Sequence, residues 1–404
     1  MSTDQTPFKI NISSEKIAQL KAKLSLTVFP DELDEAGWDY GVPLGDIKRL
    51  VAHWTDGFDW KAQEEKINSD MPQFTRDVEV DGFGKLNIHY VHQKSTVVNA
   101  IPLLFVHGWP GSFLEARKLL PLLTDASPDH PSFHVVAISL PNYGFSEAPR
   151  KKGFGHAQYA EVGNKVMLAL GYDEYVTQGG DWGHVVTRKI AIDYGGKHSK
   201  AWHTNMPLCQ PPHPVWNPLS FLGMLLPGAW TAAEKAGVAR TEKWMKDGQG
   251  YFMEHSTRPQ TIGYSLADSP VGLLAWIYEK LVEWTDDYPF TDDEVLTWVS
   301  IYWFSRAGPA APCRTYYEFE HENALADAAV PTIPMGVAYF PKELVNLPRS
   351  WMYRKGNLVF ANEHTKGGHF AAFEQPVSLA GDLRKMFGRG GPAFGVVPGK
   401  AGYA

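Results

Sequence analysis

Hydrophobic positions in the middle of the chain form short continuous runs that are separated by stretches with helical spacing. Residues 103–106, 135–138 and 175–177 are mostly apolar, as expected for strands buried on both faces of a parallel sheet. Between the second and third runs, apolar residues recur at helical spacing from Tyr159 to Leu170. This alternation predicts an α/β fold with a mostly parallel, doubly wound sheet. Functional residues are expected at the carboxyl ends of its strands.

The first 95 residues have a different pattern. Apolar residues at helical spacing follow Ser13 and Ser14, and they predict a helix that is capped by one of these serines. Two more helices are predicted, over residues 46–54 and around Trp60. Apolar and polar residues then alternate over residues 78–90, except at a Gly-containing break, which indicates a β-hairpin. We therefore predict an N-terminal extension of residues 1–95.

The strand–helix alternation stops near Met206. The residues that follow, up to about 325, are rich in Pro and aromatic residues and contain apolar positions at helical spacing. Examples of this spacing are Leu273, Leu274, Trp276, Ile277 and Leu281. We predict that residues 207–325 form a helical cap inserted into the sheet-containing part of the chain.

The strand pattern resumes after the predicted cap. Residues 335–340 and 358–361 are apolar runs, and the last predicted helix contains Leu379, Leu383 and Met386. The sheet-containing core would therefore be built from two segments, residues 96–206 and residues 326–404.

Composition narrows the class of protein. The net charge is −7 without a basic tract, which argues against a nucleic-acid partner. The only cysteines are Cys209 and Cys313, so no disulfide framework is expected and a reducing compartment fits. The N-terminus lacks the apolar region of a signal peptide, and no apolar run has the length of a membrane-spanning helix. We expect a cytoplasmic protein without a membrane anchor.

The sequence Gly179-Gly180-Asp181-Trp182-Gly183 lies between a predicted strand and a predicted helix. Small residues on both sides of a central side chain are typical of a nucleophile elbow, a sharp turn that exposes a catalytic residue. A surface turn is the alternative interpretation, because Gly-rich turns are common. The usual occupant of an elbow is Ser, and here it is Asp181, which we take as the candidate nucleophile.

A nucleophile of this kind needs a histidine and a second acid, and both should follow later strands. His369 follows the last strand and comes directly after two glycines, and we prefer it to His364, which lies closer to that strand. Glu343 follows the preceding strand and is the candidate acid, whereas Glu363 lies on the wrong strand. The backbone N–H groups of two tryptophans, Trp109 and Trp182, are the expected oxyanion-hole donors. We interpret His107 as a structural loop residue.

A carboxylate nucleophile changes the expected chemistry. Attack on a carbonyl would give a reactive anhydride, whereas attack on a saturated carbon gives a covalent alkyl ester. The histidine would then activate water, which attacks the ester carbonyl of Asp181 itself. The leaving group could be a halide held by indole N–H groups, or an epoxide oxygen protonated by tyrosine. The residues alone do not choose among the many tyrosines of the cap. The chemistry requires no cofactor and no metal.

Seven motifs, spread over almost the whole chain, carry a resemblance to one family. They are Trp54-Thr55-Asp56-Gly57-Phe58-Asp59-Trp60, Pro72-Gln73-Phe74, His107-Gly108-Trp109-Pro110-Gly111, Gly179-Gly180-Asp181-Trp182-Gly183, Asp268-Ser269-Pro270-Val271-Gly272-Leu273, Phe340-Pro341-Lys342-Glu343 and Gly368-His369-Phe370. With these motifs the chain resembles epoxide hydrolases of the α/β-hydrolase fold, specifically the microsomal-type branch with an N-terminal extension. It lacks the N-terminal anchor of the mammalian members, so we expect a soluble relative.

The resemblance implies that two cap tyrosines assist ring opening. Tyr251 matches the first, and Tyr316 matches the second better than Tyr317 does. The implied partners are a small-molecule epoxide and water, and the implied acid is Glu343. A homodimer is compatible with the sequence, although no feature of it shows one.

Two other functions would use parts of the same motifs or scaffold. A haloalkane dehalogenase would share the HGWPG and GGDWG motifs, but the tyrosine motifs and the N-terminal extension argue against it. A ligand-binding protein on the same scaffold would be expected to lack part of the catalytic set, and every member has a candidate here.

Overall fold

A nine-stranded sheet lies at the centre of the computed structural model, which describes residues 5–226, 228–324 and 329–404. The strands are β1 (Thr6–Phe8), β2 (Gln73–Val80), β3 (Gly84–Gln93), β4 (Ile101–Val106), β5 (Phe133–Ile138), β6 (Tyr175–Gly179), β7 (Ser199–Thr204), β8 (Pro334–Tyr339) and β9 (Asn357–Glu363). Their order across the sheet is β1-β2-β3-β5-β4-β6-β7-β8-β9. Strands β4 to β9 pair in parallel, whereas β1, β2 and β3 are joined by antiparallel pairing. The predicted mostly parallel sheet is confirmed.

The N-terminal region contributes to the same sheet. It contains α1 (Ser14–Ser25), α2 (Leu44–Ala52) and α3 (Trp60–Asp70), and a π-helical turn (His53–Gly57) follows α2. Ser13 caps α1, because its side chain accepts a hydrogen bond from the Lys16 N–H at 3.3 Å. The predicted hairpin is β2–β3, and β3 pairs with β5. The N-terminal extension is therefore continuous with the core sheet.

The chain between β4 and β5 forms two short helices rather than one long helix. A short 3-10 turn (Phe113–Ala116) precedes α4 (Leu119–Thr124). Pro121 lies in the first turn of α4, where its missing N–H is tolerated. In one continuous helix from residue 113, the same proline would lie in the interior and would break a hydrogen bond.

The remaining helices of the core lie between parallel strands or follow the last strand. They are α5 (His156–Ala169), α6 (Trp182–Asp193), α14 (Arg349–Met352), α15 (Ala371–Glu374) and α16 (Pro376–Phe387). Helix α5 packs against α6, and α4 packs against α16. Strand β7 was not predicted, because its Ser, Lys, His and Thr residues disguise a segment that is buried at nearly every position.

Helices occupy the described chain between β7 and β8. They are α7 (Pro218–Met224), α8 (Ala232–Asp247), α9 (Gly250–Thr257), α10 (Pro259–Asp268), α11 (Pro270–Glu283), α12 (Asp292–Trp303) and α13 (Cys313–His321). This arrangement supports a helical cap of residues 207–325. We propose that the rest of the chain consists of the extension of residues 1–95 and the two core segments, residues 96–206 and 326–404. The boundary after residue 325 lies outside the described residues.

One hydrophobic cluster extends through the N-terminal region, the core and the cap. It includes Trp54 and Trp60 from the N-terminal region, Leu103 from β4 and Trp298 from the cap. Both cysteines are buried and unpaired. Within the described ranges, none of the helices combines the length and the apolar composition that crossing a bilayer requires.

Candidate active site

Asp181 lies on the sharp turn between β6 and α6. Its backbone has φ 52° and ψ −133°, a region that is strained for a residue with a side chain. The turn brings the carboxylate above the carboxyl end of the sheet, as a nucleophile elbow does. The conformation is supported by tight packing around it.

Two glycines make room for this turn. A Cβ on Gly183 would lie 2.0 Å from the carbonyl oxygen of Val106, so α6 approaches the end of β4 more closely than any other residue would permit. A Cβ on Gly108 would lie 1.9 Å from Asp181 Oδ1. Glycine at these positions is therefore required by close approach.

The structure brings His369 and Glu343 to Asp181. His369 Nδ1 donates a hydrogen bond to Glu343 Oε1 at 2.7 Å, and its Nε2 lies 3.3 Å from Asp181 Oδ2. Glu343 Oε1 also accepts from the Leu344 N–H at 2.7 Å. The side chain of His369 is only 2% exposed and that of Glu343 is fully buried. The three residues thus form a continuous chain from acid to base to candidate nucleophile.

The two rival residues lie elsewhere. His364 Nε2 is 2.6 Å from Asp382 Oδ2, and its ring stacks on Phe340. Glu363 is exposed at the end of β9. Neither contacts the elbow in the structure.

The charge on His369 is controlled by its two carboxylate neighbours. Burial by itself lowers the pKa of His369, but Glu343 and Asp181 together outweigh burial and raise the pKa well above its ordinary value. Both partners must therefore be considered when the protonation of this histidine is discussed. Any step that neutralises Asp181 removes one of the groups that favour the charged imidazolium.

The loop after β4 supplies a donor to the opposite carboxylate oxygen. The backbone N–H of Trp109 donates to Asp181 Oδ1 at 2.7 Å. Trp182, the second predicted donor, is the first residue of α6 and follows Asp181 directly. His107 is buried, and burial lowers its pKa to about 4. Its Nε2 accepts from the Leu140 N–H, so its Nδ1 carries the proton and donates to the Gly108 carbonyl at 3.0 Å.

Two cap tyrosines face the elbow. The ring of Tyr251 stacks on that of Trp109 with centroids 5.1 Å apart, and the ring of Tyr316 meets that of Trp182 edge-on at 4.7 Å. Burial, with the Asp181 charge adding to it for both residues, raises the pKa of each tyrosine well above 10. Both hydroxyls are therefore protonated at neutral pH. Tyr317 is 36% exposed and stacks on His321 instead.

A cavity of about 470 Å³ opens onto Asp181. Trp182, Tyr251 and Tyr316 line it at this end. The rest of its wall is mainly apolar, from Val185, Met206, Leu208, Val238, Trp244, Met245, Phe252, Leu344, Leu347 and Trp351. Its size and lining are typical of a small-molecule site. In the described part of the chain, no cluster of three or more His, Cys, Asp or Glu side chains could hold a metal ion.

Some residues around the site had no signal in the sequence. The carbonyl of Trp284, at the end of α11, accepts from the His369 N–H at 2.8 Å. Glu115 is buried beside Gly111, and burial raises the pKa of its carboxyl to about 8. A tryptophan of the cap and a glutamate of the 3-10 turn have no special sequence pattern around them, so only the tertiary structure shows that they lie beside the site.

Comparison with known proteins gives matches over nearly the whole chain. A family model described as "Epoxide hydrolase N terminus" matches residues 5–116, and one described as "alpha/beta hydrolase fold" matches residues 101–233. Epoxide hydrolase 1 of Sus scrofa is 35% identical over 410 residues, which cover 95% of this chain and 88% of that protein.

Two solved structures are similar over the same extent. The epoxide hydrolase of Aspergillus niger has a TM-score of 0.82 and 38% identity, and the match covers 94% of this chain and 95% of that one. The juvenile hormone epoxide hydrolase of the silkworm Bombyx mori has a TM-score of 0.85 and 30% identity, covering 95% and 93% respectively. The likeness therefore includes the N-terminal region, the core and the cap.

Proposed function

Because the chain belongs to the epoxide hydrolase family of the α/β-hydrolase fold, we propose a residue-level mechanism by which it converts epoxides into vicinal diols. The observation that carries the proposal is the set of contacts around Asp181. One carboxylate oxygen accepts from the Trp109 N–H, and the other lies beside His369 Nε2. Tyr251 and Tyr316 line the same cavity as this carboxylate.

In the first step, a carboxylate oxygen of Asp181 attacks one epoxide carbon. A carbon–oxygen bond forms to Asp181 while the ring carbon–oxygen bond breaks, and the ring oxygen takes a proton from Tyr251 or Tyr316. Their raised pKa values support this role, because both hydroxyls retain a proton to give. The product is a neutral alkyl ester on Asp181.

In the second step, His369 takes a proton from water, and the hydroxide attacks the carbonyl carbon of the Asp181 ester. Negative charge develops on the oxygen that accepts from the Trp109 N–H, with Trp182 as the second proposed donor. The ester bond then breaks, the leaving oxygen takes the proton of the added hydroxyl, and the diol departs as the carboxylate of Asp181 is restored. A proton from the imidazolium of His369 returns to the tyrosinate that ring opening left behind. Esterification favours the second step. It removes the charge of Asp181, which lowers the pKa of His369 and so favours the neutral imidazole that acts as the base. Glu343 keeps the imidazole oriented.

The apolar cavity supports a hydrophobic epoxide as the substrate. Its volume of about 470 Å³ accommodates a small to medium-sized molecule. A cytoplasmic location, which the composition favours, stays a prediction, as does a homodimer, which is only compatible with the sequence.

The decisive experiment is to trap the ester. In His369→Gln, attack on the epoxide should continue while hydrolysis stops, so the peptide containing Asp181 should gain the mass of the substrate. Asp181→Ala, with the same fold by circular dichroism, should show neither the added mass nor diol. The test uses an epoxide that the wild type converts to diol. If the Asp181 peptide of His369→Gln stays unmodified throughout exposure to it, the covalent route is excluded.

A substrate panel separates this chemistry from dehalogenation. Aryl and aliphatic epoxides should give diol, whereas haloalkanes of matched size should release no halide. A single turnover in oxygen-18 water should also leave label on Asp181, because water attacks its carbonyl carbon. Halide release without diol formation would assign the site to the other chemistry.

A further inference from the structure

The loop that donates to Asp181 is held from outside by the cap. We call residues 108–112 the oxyanion loop. Trp298 Nε1 donates to the carbonyl of Pro110 at 2.5 Å, and the hydroxyl of Tyr302 donates to the carbonyl of Gly111 at 2.6 Å. Both side chains belong to α12 and are one helical turn apart, so they project from the same face. One cap helix thus binds two consecutive carbonyls of the oxyanion loop. We call these two hydrogen bonds the tethers.

These contacts are buried. Trp298 is 1% exposed and Tyr302 is 4% exposed, and a buried carbonyl that loses its donor carries the full cost of desolvation. The tethered carbonyls come directly after Trp109, whose N–H is 2.7 Å from Asp181 Oδ1. A shift of the loop by a few tenths of an ångström would therefore change the hydrogen bond on the nucleophile.

The same part of the cap also binds the histidine loop. The carbonyl of Trp284 accepts from the His369 N–H, and Asp286 Oδ2 accepts from the Gly367 N–H at 2.9 Å. Residues 284–302 therefore contact both loops that converge on Asp181. This part of the cap therefore does more than cover the cavity, because it is hydrogen-bonded to the backbone of both loops.

We propose that α12 positions the oxyanion loop for hydrolysis of the alkyl-enzyme, with Trp298 and Tyr302 as positioning residues. The proposal rests on the covalent mechanism given above. The Trp109 N–H gains importance when negative charge grows on the ester oxygen, and it loses importance when the Asp181 carboxylate is neutralised by alkylation. Loss of a tether should therefore slow hydrolysis and leave alkylation unchanged or slightly faster.

The test is rapid-quench kinetics on Tyr302→Phe with a hydrophobic aryl epoxide, measuring alkyl-enzyme by intact mass and diol by chromatography. We expect the hydrolysis rate constant to fall about 10-fold, less than the ~100-fold or more that follows loss of a whole oxyanion donor. Alkyl-enzyme should accumulate in the steady state. kcat and KM should fall together, so that kcat/KM stays within about twofold of the wild type.

Tyr175→Phe is the matched control. Tyr175 is also fully buried, and its hydroxyl donates to Asn164 Oδ1 at 2.7 Å away from the site. It should lower the melting temperature comparably without changing either rate constant. Trp298→Phe removes the other tether and should change the kinetics in the same direction, which keeps the test valid if Tyr302→Phe folds poorly.

The possible outcomes test the positioning role of α12 separately from the covalent mechanism. An unchanged hydrolysis rate constant in both variants, or an equal loss of alkylation and hydrolysis, would overturn the positioning role. Failure of the wild type and of His369→Gln to form any alkyl-enzyme would instead refute the covalent mechanism.

Discussion

Asp181 combines a strained backbone with a crowded carboxylate. Its φ of 52° is maintained by the packing of the turn, and its two oxygens are committed to different neighbours, the Trp109 N–H and His369. Strain of this kind persists only where the surroundings determine it. The geometry leaves the carboxylate little freedom to turn away from the cavity.

Tyr316 and Tyr317 provide a test at single-residue resolution. Tyr316→Phe should lower kcat/KM for epoxides by about 10- to 100-fold, because a proton donor to the ring oxygen is lost. Tyr317→Phe should change it less than about twofold, because this side chain is on the surface beside His321. Steady-state diol formation measures both, and equal effects of the two substitutions would contradict the assignment.

Glu115 should make stability depend on pH. Burial raises its pKa from 4.5 to about 8, so the folded protein keeps a proton that the unfolded chain releases above pH 4.5. The stability that this group provides is complete below pH 4.5 and is lost as the pH rises to 8. The loss is up to about 5 kcal/mol, at about 1.4 kcal/mol per pKa unit.

Glu115→Gln is neutral at every pH and should reduce the decline in unfolding free energy between pH 5 and pH 8. Urea denaturation at a series of pH values measures this, and the exposed Glu65→Gln serves as the control. A pH dependence identical to that of the wild type would mean that Glu115 is ionised in the folded protein.

The sequence predicted the convergence of Asp181, Glu343 and His369 because each follows a strand of the same parallel sheet. It could not choose Tyr316 over Tyr317 by spacing, since a slip of one residue on a helix turns the side chain by about 100°. Which face of α13 meets the core is decided by packing. The same reason explains why Trp298 and Tyr302 carried no signal.

At the scale of elements, the contact between β4 and α6 sets the position of the elbow. Gly183→Ala would place a Cβ 2.0 Å from the Val106 carbonyl oxygen, so α6 must move and carry Asp181 with it. We expect kcat/KM to fall by about 100-fold or more, as small misplacements of a reacting group do. The melting temperature should fall as well.

Gly381→Ala is the control for helix propensity. Gly381 lies inside α16, and a Cβ there would meet nothing within 4 Å. This substitution should raise the unfolding free energy by about 0.5–1 kcal/mol without changing activity. Equal behaviour of the two variants would show that the close approach at Gly183 is unimportant.

Elements with uniform patterns were predictable, and elements with mixed patterns were not. The continuous apolar runs of β4 and β5 predict strands, and the structure has strands there. β7 escaped prediction because its buried His203 and Thr204 are polar, and tertiary burial overrides intrinsic propensity there. Apolar spacing alone does not show that the helical segment before Pro121 is split into a 3-10 turn and α4. The position of the proline within the helix has to be considered as well.

At the scale of the whole molecule, the N-terminal region joins the core to the cap. Lys23 Nζ lies 2.6 Å from Asp268 Oδ1 in the cap, and Trp60 packs on Phe304 with ring centroids 5.2 Å apart. Asp293 at the start of α12 lies 2.7 Å from His53 Nε2. The three regions therefore share contacts as well as one hydrophobic cluster.

These shared contacts predict that the chain unfolds as a unit. Calorimetry should give one transition with a van't Hoff enthalpy close to the calorimetric enthalpy, because no region can lose its packing alone. Tryptophan fluorescence and far-UV circular dichroism should report the same midpoint. Two resolved transitions would show that the cap or the N-terminal region is independently stable.

Trp298 and Tyr302 of α12 bind the oxyanion loop, whereas the apolar wall of the cavity comes from other segments. Leu208, Val238, Met245 and Leu344 line the cavity from segments outside α11 and α12. For protein engineers, libraries that randomise these four positions should reshape the chiral environment of the epoxide while the catalytic frame stays intact. Variation at Trp298 or Tyr302 would instead couple every change of selectivity to a loss of rate. Natural sequence changes that alter the substrate should likewise occur at these four cavity-lining positions.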